Sequence, residues 1–393
     1  MSLRKFILLM GVIAAPVLCH ATSKGMFFFY RLGTRVDRYL LLNVDTNYIT
    51  LPEHSWRFAL TGATVGLNSE YRTREYRGKN HISMHSQSTP SVDIGFNAGY
   101  RGFGFGYSWD IMNAYAHKFN VSFGGKALGI EFLYQASTNL SARAVNPDDP
   151  DPLIVAFPKG WLRISNTSVS AWYALNSAHY SHNAAIKQSY LQKRSAGSLL
   201  LSLSYLSTDM RLSDDFHYHH TYLIDDVKHI VTRQVALGLG YGINYTPNHG
   251  KVLLHAAAFA QLVCYSINQL SLERDSLRGE TYGEPMYNIK PKHPVHVTGN
   301  VRAAVSWEIN EWVHLTAWAQ GNHVRFHSRP NQFAEIHMGN WNWQVHLDLG
   351  VRLGAGKKKV QESMADLLAE PLPPLRKSKL PKWIQEYFYS PSL

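Results

Sequence analysis

The stretch Ser91–Asp110, SVDIGFNAGYRGFGFGYSWD, constrains the fold more than any other part of the chain. Val92, Ile94, Phe96, Ala98 and Tyr100 alternate with Asp93, Gly95, Asn97 and Gly99. After Arg101-Gly102, the residues Phe103, Phe105, Tyr107 and Trp109 alternate with Gly104, Gly106, Ser108 and Asp110. A period of two sends successive side chains to opposite faces of a strand. One face of this hairpin is therefore apolar and aromatic, and the other is Gly, Asn, Ser and Asp. Glycine fills a soluble core poorly. A membrane barrel turns apolar side chains outward to lipid and small or polar ones inward, which is the arrangement found here.

The N-terminus points the same way. Arg4 and Lys5 precede the apolar run Phe6–Leu18, followed by Cys19-His20-Ala21. A positive start, a short apolar core and a small residue make a secretory signal, expected to span 1–21 with cleavage after Ala21. The run is too short for a spanning helix, which needs about 20 residues. Pro16-Val17-Leu18 fits a lipoprotein signal at Cys19 poorly. Cleavage lowers the formal charge from +11 to about +9 and leaves Cys264 without a partner for a disulfide. Aromatic content of 12% with charged content of 17% suits an outer wall in lipid. The basic balance comes with no basic helix or nucleic-acid motif, so no nucleic-acid partner is expected.

Alternation recurs in twelve segments, and the connections between them sort into two kinds. Those at 73–90, 112–118, 137–160, 208–231, 267–294 and 327–340 are mostly long, while the others are mostly short turns such as Gly124-Gly125-Lys126 and Asn310-Glu311. Long outer loops alternating with short periplasmic turns are the pattern of an outer-membrane barrel. The predicted fold is thus all-β, an antiparallel up-and-down transmembrane barrel of about 12 strands (10–14). Trp and Tyr near the segment ends, among them Trp109, Trp307, Trp312, Trp341 and Trp343, sit where interface girdles belong.

One connection breaks the alternation of loop lengths. Asn176–Arg194, NSAHYSHNAAIKQSYLQKR, stands where a short turn is expected. It reads as a short helix or irregular segment tucked under or into the barrel; the alternative is an extra strand pair. The domain organisation expected is a signal peptide at 1–21, a periplasmic segment at 22–55, the barrel at 56–353 and a periplasmic tail at 354–393. The tail carries Lys357-Lys358-Lys359, VQESMADLLAE and an aromatic end, and either binds a periplasmic partner or is a solvated extension.

The inward faces are chemically mixed. Asp93 and Asp110 on the hairpin, Arg302 and Glu308 on the tenth strand, and His346, Asp348 and Arg352 on the last are expected to form a polar network in the lumen, because opposite charges in a narrow space pair. Inward glycines at 95, 99, 104, 106, 238, 240 and 242 leave room for a plug or for side chains of the far wall. A filled or narrow lumen is expected over a wide pore.

Three segments, YRGFGFGYSWD, AWYALNSAHYSHNAAIKQSYLQKRSAGS and LGLGYGINYTPNHGKVLLHAAAFAQLV, together with DTNYITLP ahead of Trp56, resemble the Bacteroidota proteins of the domain of unknown function 4421 family. The resemblance runs from about Asp45 to Leu353. It implies an outer-membrane β-barrel of a Gram-negative bacterium, with outer-membrane lipid around it, and it implies no activity, catalytic residue or cofactor.

Two clusters carry residue types used in chemistry. His182, with Asn183 and with Ser195 or Ser198, loosely resembles the His, Ser and Asn of outer-membrane phospholipase A, so a Ser/His lipid hydrolase is the alternative to a non-enzymatic barrel. The order of these residues departs from that enzyme's motif, and the cluster falls at the periplasmic end. His217 and His219 share a face if extended and are weak candidates for a metal. The favoured reading is an outer-membrane barrel without cofactor that serves a structural, binding or narrow-pore role.

Overall fold

The computed structural model describes residues 44–75, 81–88, 91–111, 116–137, 140–145, 155–157, 160–212, 227–247, 251–272, 286–289, 291, 295–331 and 334–353. The signal at 1–21, most of the N-terminal segment, the tail at 354–393 and the candidate metal ligands His217 and His219 lie outside the described residues.

Twelve long strands form the wall: β1 (Trp56–Glu75), β2 (Ser91–Tyr100), β3 (Phe103–Asp110), β4 (His117–Gly124), β5 (Leu128–Ser137) and β6 (Leu162–Ala174). The second half comprises β7 (Ala196–Leu212), β8 (Val227–Tyr245), β9 (Val252–Leu272), β10 (His296–Glu308), β11 (Val313–Asn331) and β12 (Ala334–Leu353). Each pairs antiparallel with its neighbour in sequence, and β12 pairs with β1 from Ala334↔Glu75 to Leu353↔Trp56, closing the barrel. Closure satisfies the backbone of every wall strand and leaves no edge for lipid to meet. The strand count and order match the sequence reading. The extra strand pair at 176–194 is absent; those residues lie elsewhere, as described below.

The outer wall is apolar. Leu60 is 71% exposed, and Ile94, Val121, Leu201, Leu239, Val301 and Leu349 are all large, exposed and outward. A belt of this extent is not compatible with an aqueous exterior. Aromatic rings collect at the short-turn end, where Trp56 packs on Tyr100 with ring centroids 4.8 Å apart and Phe103 on Phe123 at 4.8 Å. Trp307 and Trp312 continue this girdle. In the β2–β3 hairpin Asp93 is 5% exposed and Val92 43%, so the two faces divide as the alternation requires. The turn is two residues, with Arg101 at φ 50°, the left-handed geometry that matches the twist of paired strands.

Two features of the sequence reading need correction. The segments at 73–90 and 137–160 were expected to be loops. Instead His81–Ser88 pairs with the outer half of β1, Leu140–Val145 pairs with His81–Ser88, and Val155–Phe157 adds to it. These segments are polar on both faces, so alternation does not mark them. The second correction concerns residues 44–55, expected outside the barrel. They cross its short-turn mouth: Ile49–Thr50 pairs with Leu191–Gln192, Asp45 N–H donates to the Ala178 carbonyl at 3.0 Å, and Arg101 donates to the Pro52 carbonyl at 3.0 Å.

Candidate functional site: a plugged lumen below an open polar cup

The segment between β6 and β7 enters the barrel. A single turn of helix, α1 (Asn183–Ile186), packs against β9, β10 and β11 from inside, with Ala184 and Ala185 buried. It stops at Gln188, whose φ of 52° is left-handed and costs a non-glycine residue about 1 kcal/mol or more. Three sets of contacts hold the segment. Beneath α1, Ile49, Tyr190, Leu253, Ala304 and Trp318 form an apolar cluster with Ala184 and Ala185, joined by Tyr48, Leu51 and Ile186. This cluster makes the N-terminal strand the base of the plug.

The second set is ionic. Lys187 Nζ donates to Glu131 Oε1 at 2.7 Å, and Arg302 Nη2 lies 3.2 Å from Glu131 Oε2. The Arg302 guanidinium also lies over the Trp172 ring, 5.6 Å from its centroid. Arg352 grips both carboxylate oxygens of Glu308 and donates to Gln188 Oε1 at 2.7 Å, while Gln188 donates to Ser306. The partly buried pairs are tied to further hydrogen bonds, as charges away from water require.

The third set surrounds Tyr180, which is 0% exposed. Its hydroxyl shares a hydrogen bond of 3.1 Å with His182 Nδ1, and His182 meets Trp172, His255 and Phe259 edge-on. Gly242 on β8 makes the space: a Cβ there would stand 2.0 Å from the Tyr180 hydroxyl oxygen. Gly124 does the same for Asn183, with a Cβ falling 2.6 Å from its side-chain nitrogen. Asn244 donates to the Ser181 carbonyl at 2.8 Å and accepts from His255 Nδ1 at 2.8 Å. Burial, with Tyr241 adding to it, raises the Tyr180 pKa and keeps it a phenol. Burial first, then His255, Arg302 and Lys187, holds His182 well below the usual histidine range and therefore neutral.

Above the plug the lumen opens as a cavity of about 800 Å³. Glu131 and Arg302 form its floor, and Asn166, Ser204, Gln261, Asn300, Gln320 and Gln344 are among the side chains of its wall. Carboxamides and hydroxyls dominate, each able to donate and accept. Beside the plug, Lys187 and Gln188 share a second cavity of about 490 Å³ with Arg57, Asn97, Asn120 and His314.

The residues proposed for a lumen network are all inward and divide into three groups. Arg302 belongs to the Glu131 cluster, and Arg352 with Glu308 clamps the plug. His346 stacks on Trp318 at 3.9 Å and accepts from Lys118 Nζ at 2.8 Å, while Trp318 Nε1 donates to Asp348 at 3.0 Å. Asp93 and Asp110 stand directly opposite each other on β2 and β3. Asp93 lines a cavity of about 320 Å³ with Lys118. Sequence reasoning missed Lys118, Glu131, Lys187, Gln188 and Tyr180. Lys118 and Glu131 do occupy inward phases of β4 and β5, a signal that was present but not used.

The hydrolase set is not assembled. The Ser198 hydroxyl accepts from Asn176 N–H at 2.9 Å and donates to the Leu199 carbonyl at 2.8 Å; Ser195 is exposed and bonds Thr246. His182 is hydrogen-bonded to Tyr180 and to neither serine. Among the described residues no three His, Cys, Asp or Glu side chains are placed to hold a metal ion.

The family model described as Domain of unknown function (DUF4421) matches residues 43–352, from the plug's base to the end of β12. The chain belongs to this family. The DUF4421 barrel is also similar in fold to solved outer-membrane structures. The outer membrane protease OmpT from Escherichia coli is 11% identical, with a TM-score of 0.32, covering 75% of this chain and 97% of the other. OprG from Pseudomonas aeruginosa is 7% identical, with a TM-score of 0.28, covering 78% and 100%. The COG4313 outer membrane channel from Pseudomonas putida F1 is 10% identical, with a TM-score of 0.27, covering 79% and 99%. No curated protein matches the sequence. The closed barrel and its lipid-facing belt place the DUF4421 chain in the outer membrane.

Proposed function

We propose that this DUF4421 protein is a non-enzymatic, occluded outer-membrane barrel. It takes up polar solutes in an outward-facing cup and offers no open pore. The observation that supports this reading is the plug, residues 176–194, seated on both an apolar base and buried ion pairs. Short turns and the N-terminal strand share one end, which the general plan of such barrels assigns to the periplasm. The 800 Å³ cup then faces outside. Its amide and hydroxyl lining suits small polar solutes better than lipid chains. The run Phe6–Leu18 serves as the export signal on this reading, and the tail after Leu353 as a periplasmic extension.

The test uses the full chain reconstituted into liposomes, with fatty-acid release and solute-driven swelling followed together. Neither activity is expected. Hydrolysis lost on Ser195→Ala or Ser198→Ala, or rapid swelling in small sugars, contradicts the proposal.

A further inference from the structure

The apolar belt has a measurable top on β6, β7 and β8. The outward run Val235, Leu237, Leu239, Tyr241, Ile243 and Tyr245 on β8 is 11 positions long from first to last. At about 3.4 Å per residue and a tilt of about 40°, it rises about 26 Å, the height of the apolar band of such barrels. In register with Val235 stand Tyr205 and, on β6, Val169. The next outward row is Thr167, Ser207 and Arg233, and Arg233 is exposed at the upper edge of the belt.

Two outward rows higher, Arg163 on β6 and Arg211 on β7 stand directly opposite each other, both exposed. Like charges in direct cross-strand register are unfavourable in a sheet. Among the described residues of these three strands Asp209 is the one acid, and His229 holds it at 3.0 Å. The face therefore carries an excess of guanidinium just where the outer leaflet's headgroups lie. Snorkelling alone would explain Arg233. It does not explain a pair placed about 10 Å above it, since a phospholipid headgroup zone is only about 5–7 Å deep.

The geometry points to a binding site for a tall, phosphorylated saccharide headgroup of an outer-leaflet glycolipid on the outer face of β6–β8. Arg163 and Arg211 converge on one phosphate, and Arg233 anchors the headgroup near the acyl boundary. Guanidinium and phosphate match in bidentate geometry, and an anion between Arg163 and Arg211 relieves their mutual repulsion.

Native mass spectrometry of the full-length barrel in neutral detergent tests this. The probes are lipid A carrying a phosphorylated inner core, the same glycolipid after phosphatase treatment, phosphatidylglycerol, and inorganic phosphate. The phosphorylated glycolipid is expected to be retained. Arg163→Gln with Arg211→Gln is expected to weaken it about tenfold or more, while the heat-modifiable gel shift shows the barrel intact. Equal retention by the double variant overturns the site. Equal retention of the dephosphorylated glycolipid or of phosphatidylglycerol overturns the headgroup assignment. Complete displacement by millimolar inorganic phosphate would show a plain anion site and overturn it as well.

Discussion

Glu131 is the residue on which the plug's charges depend, because Lys187 and Arg302 both point at its carboxylate. Replacing it by Gln leaves two cations facing each other with little water between them. Breaking a buried pair from one side costs about 3–5 kcal/mol. Glu131→Gln is therefore predicted to lower the temperature of the gel-shift transition of the folded barrel, and Lys187→Met in the same chain to restore part of it. His182 supplies a pH dependence. Seated, it faces His255, Tyr180, Trp172 and Phe259, feels Arg302 and Lys187, and titrates well below 6.5. Released, it titrates near 6.5. The released state then binds a proton that the seated state refuses, so seating is strongest above about pH 6.5 and weakens as the pH falls, by at most about 1.4 kcal/mol per pH unit for this group. Trypsin sensitivity of the plug's Lys187, Lys193 and Arg194 should rise in acid, and His182→Gln should flatten its own share of that rise. An acid profile identical in the variant would remove His182 from the account.

At the scale of the element, the plug and the wall are matched by absence of side chain. Gly242 admits Tyr180 and Gly124 admits Asn183. Gly242→Val puts atoms where the Tyr180 hydroxyl sits, and the predicted result is an intact barrel whose segment 176–194 is displaced and readily cleaved. Protection equal to that of the unchanged protein would contradict the fit. The sequence showed that 176–194 was too long for its place and that β8 had glycine inward, and these two facts together pointed to a plug. It could not show the base. VDTNYITLP has too few alternating positions to read as a strand, and its partner Leu191–Gln192 is a two-residue bridge made only in three dimensions. Ile49→Asp tests that base: it places a charge in the cluster with Tyr190 and Trp318 and should loosen the plug as Gly242→Val does.

For the whole molecule, the wall was legible because lipid outside and a polar interior impose the same period on every strand. Leu237, Leu239 and Tyr241 report that period without help from any partner. The candidate site was legible only in part. Arg302, Glu308, His346, Asp348 and Arg352 lie on strands whose phase was clear. Lys187, Gln188 and Tyr180 lie on a segment with no period, and their partners are far away in sequence. The serine–histidine alternative failed for the same reason: closeness along the chain did not predict that His182 would turn to Tyr180. Single-channel recording of the full chain in planar bilayers tests the central claim most directly. At neutral pH the plugged barrel should give no large steady openings, whereas Gly242→Val should give them. Large steady openings from the unchanged protein would contradict the plugged lumen.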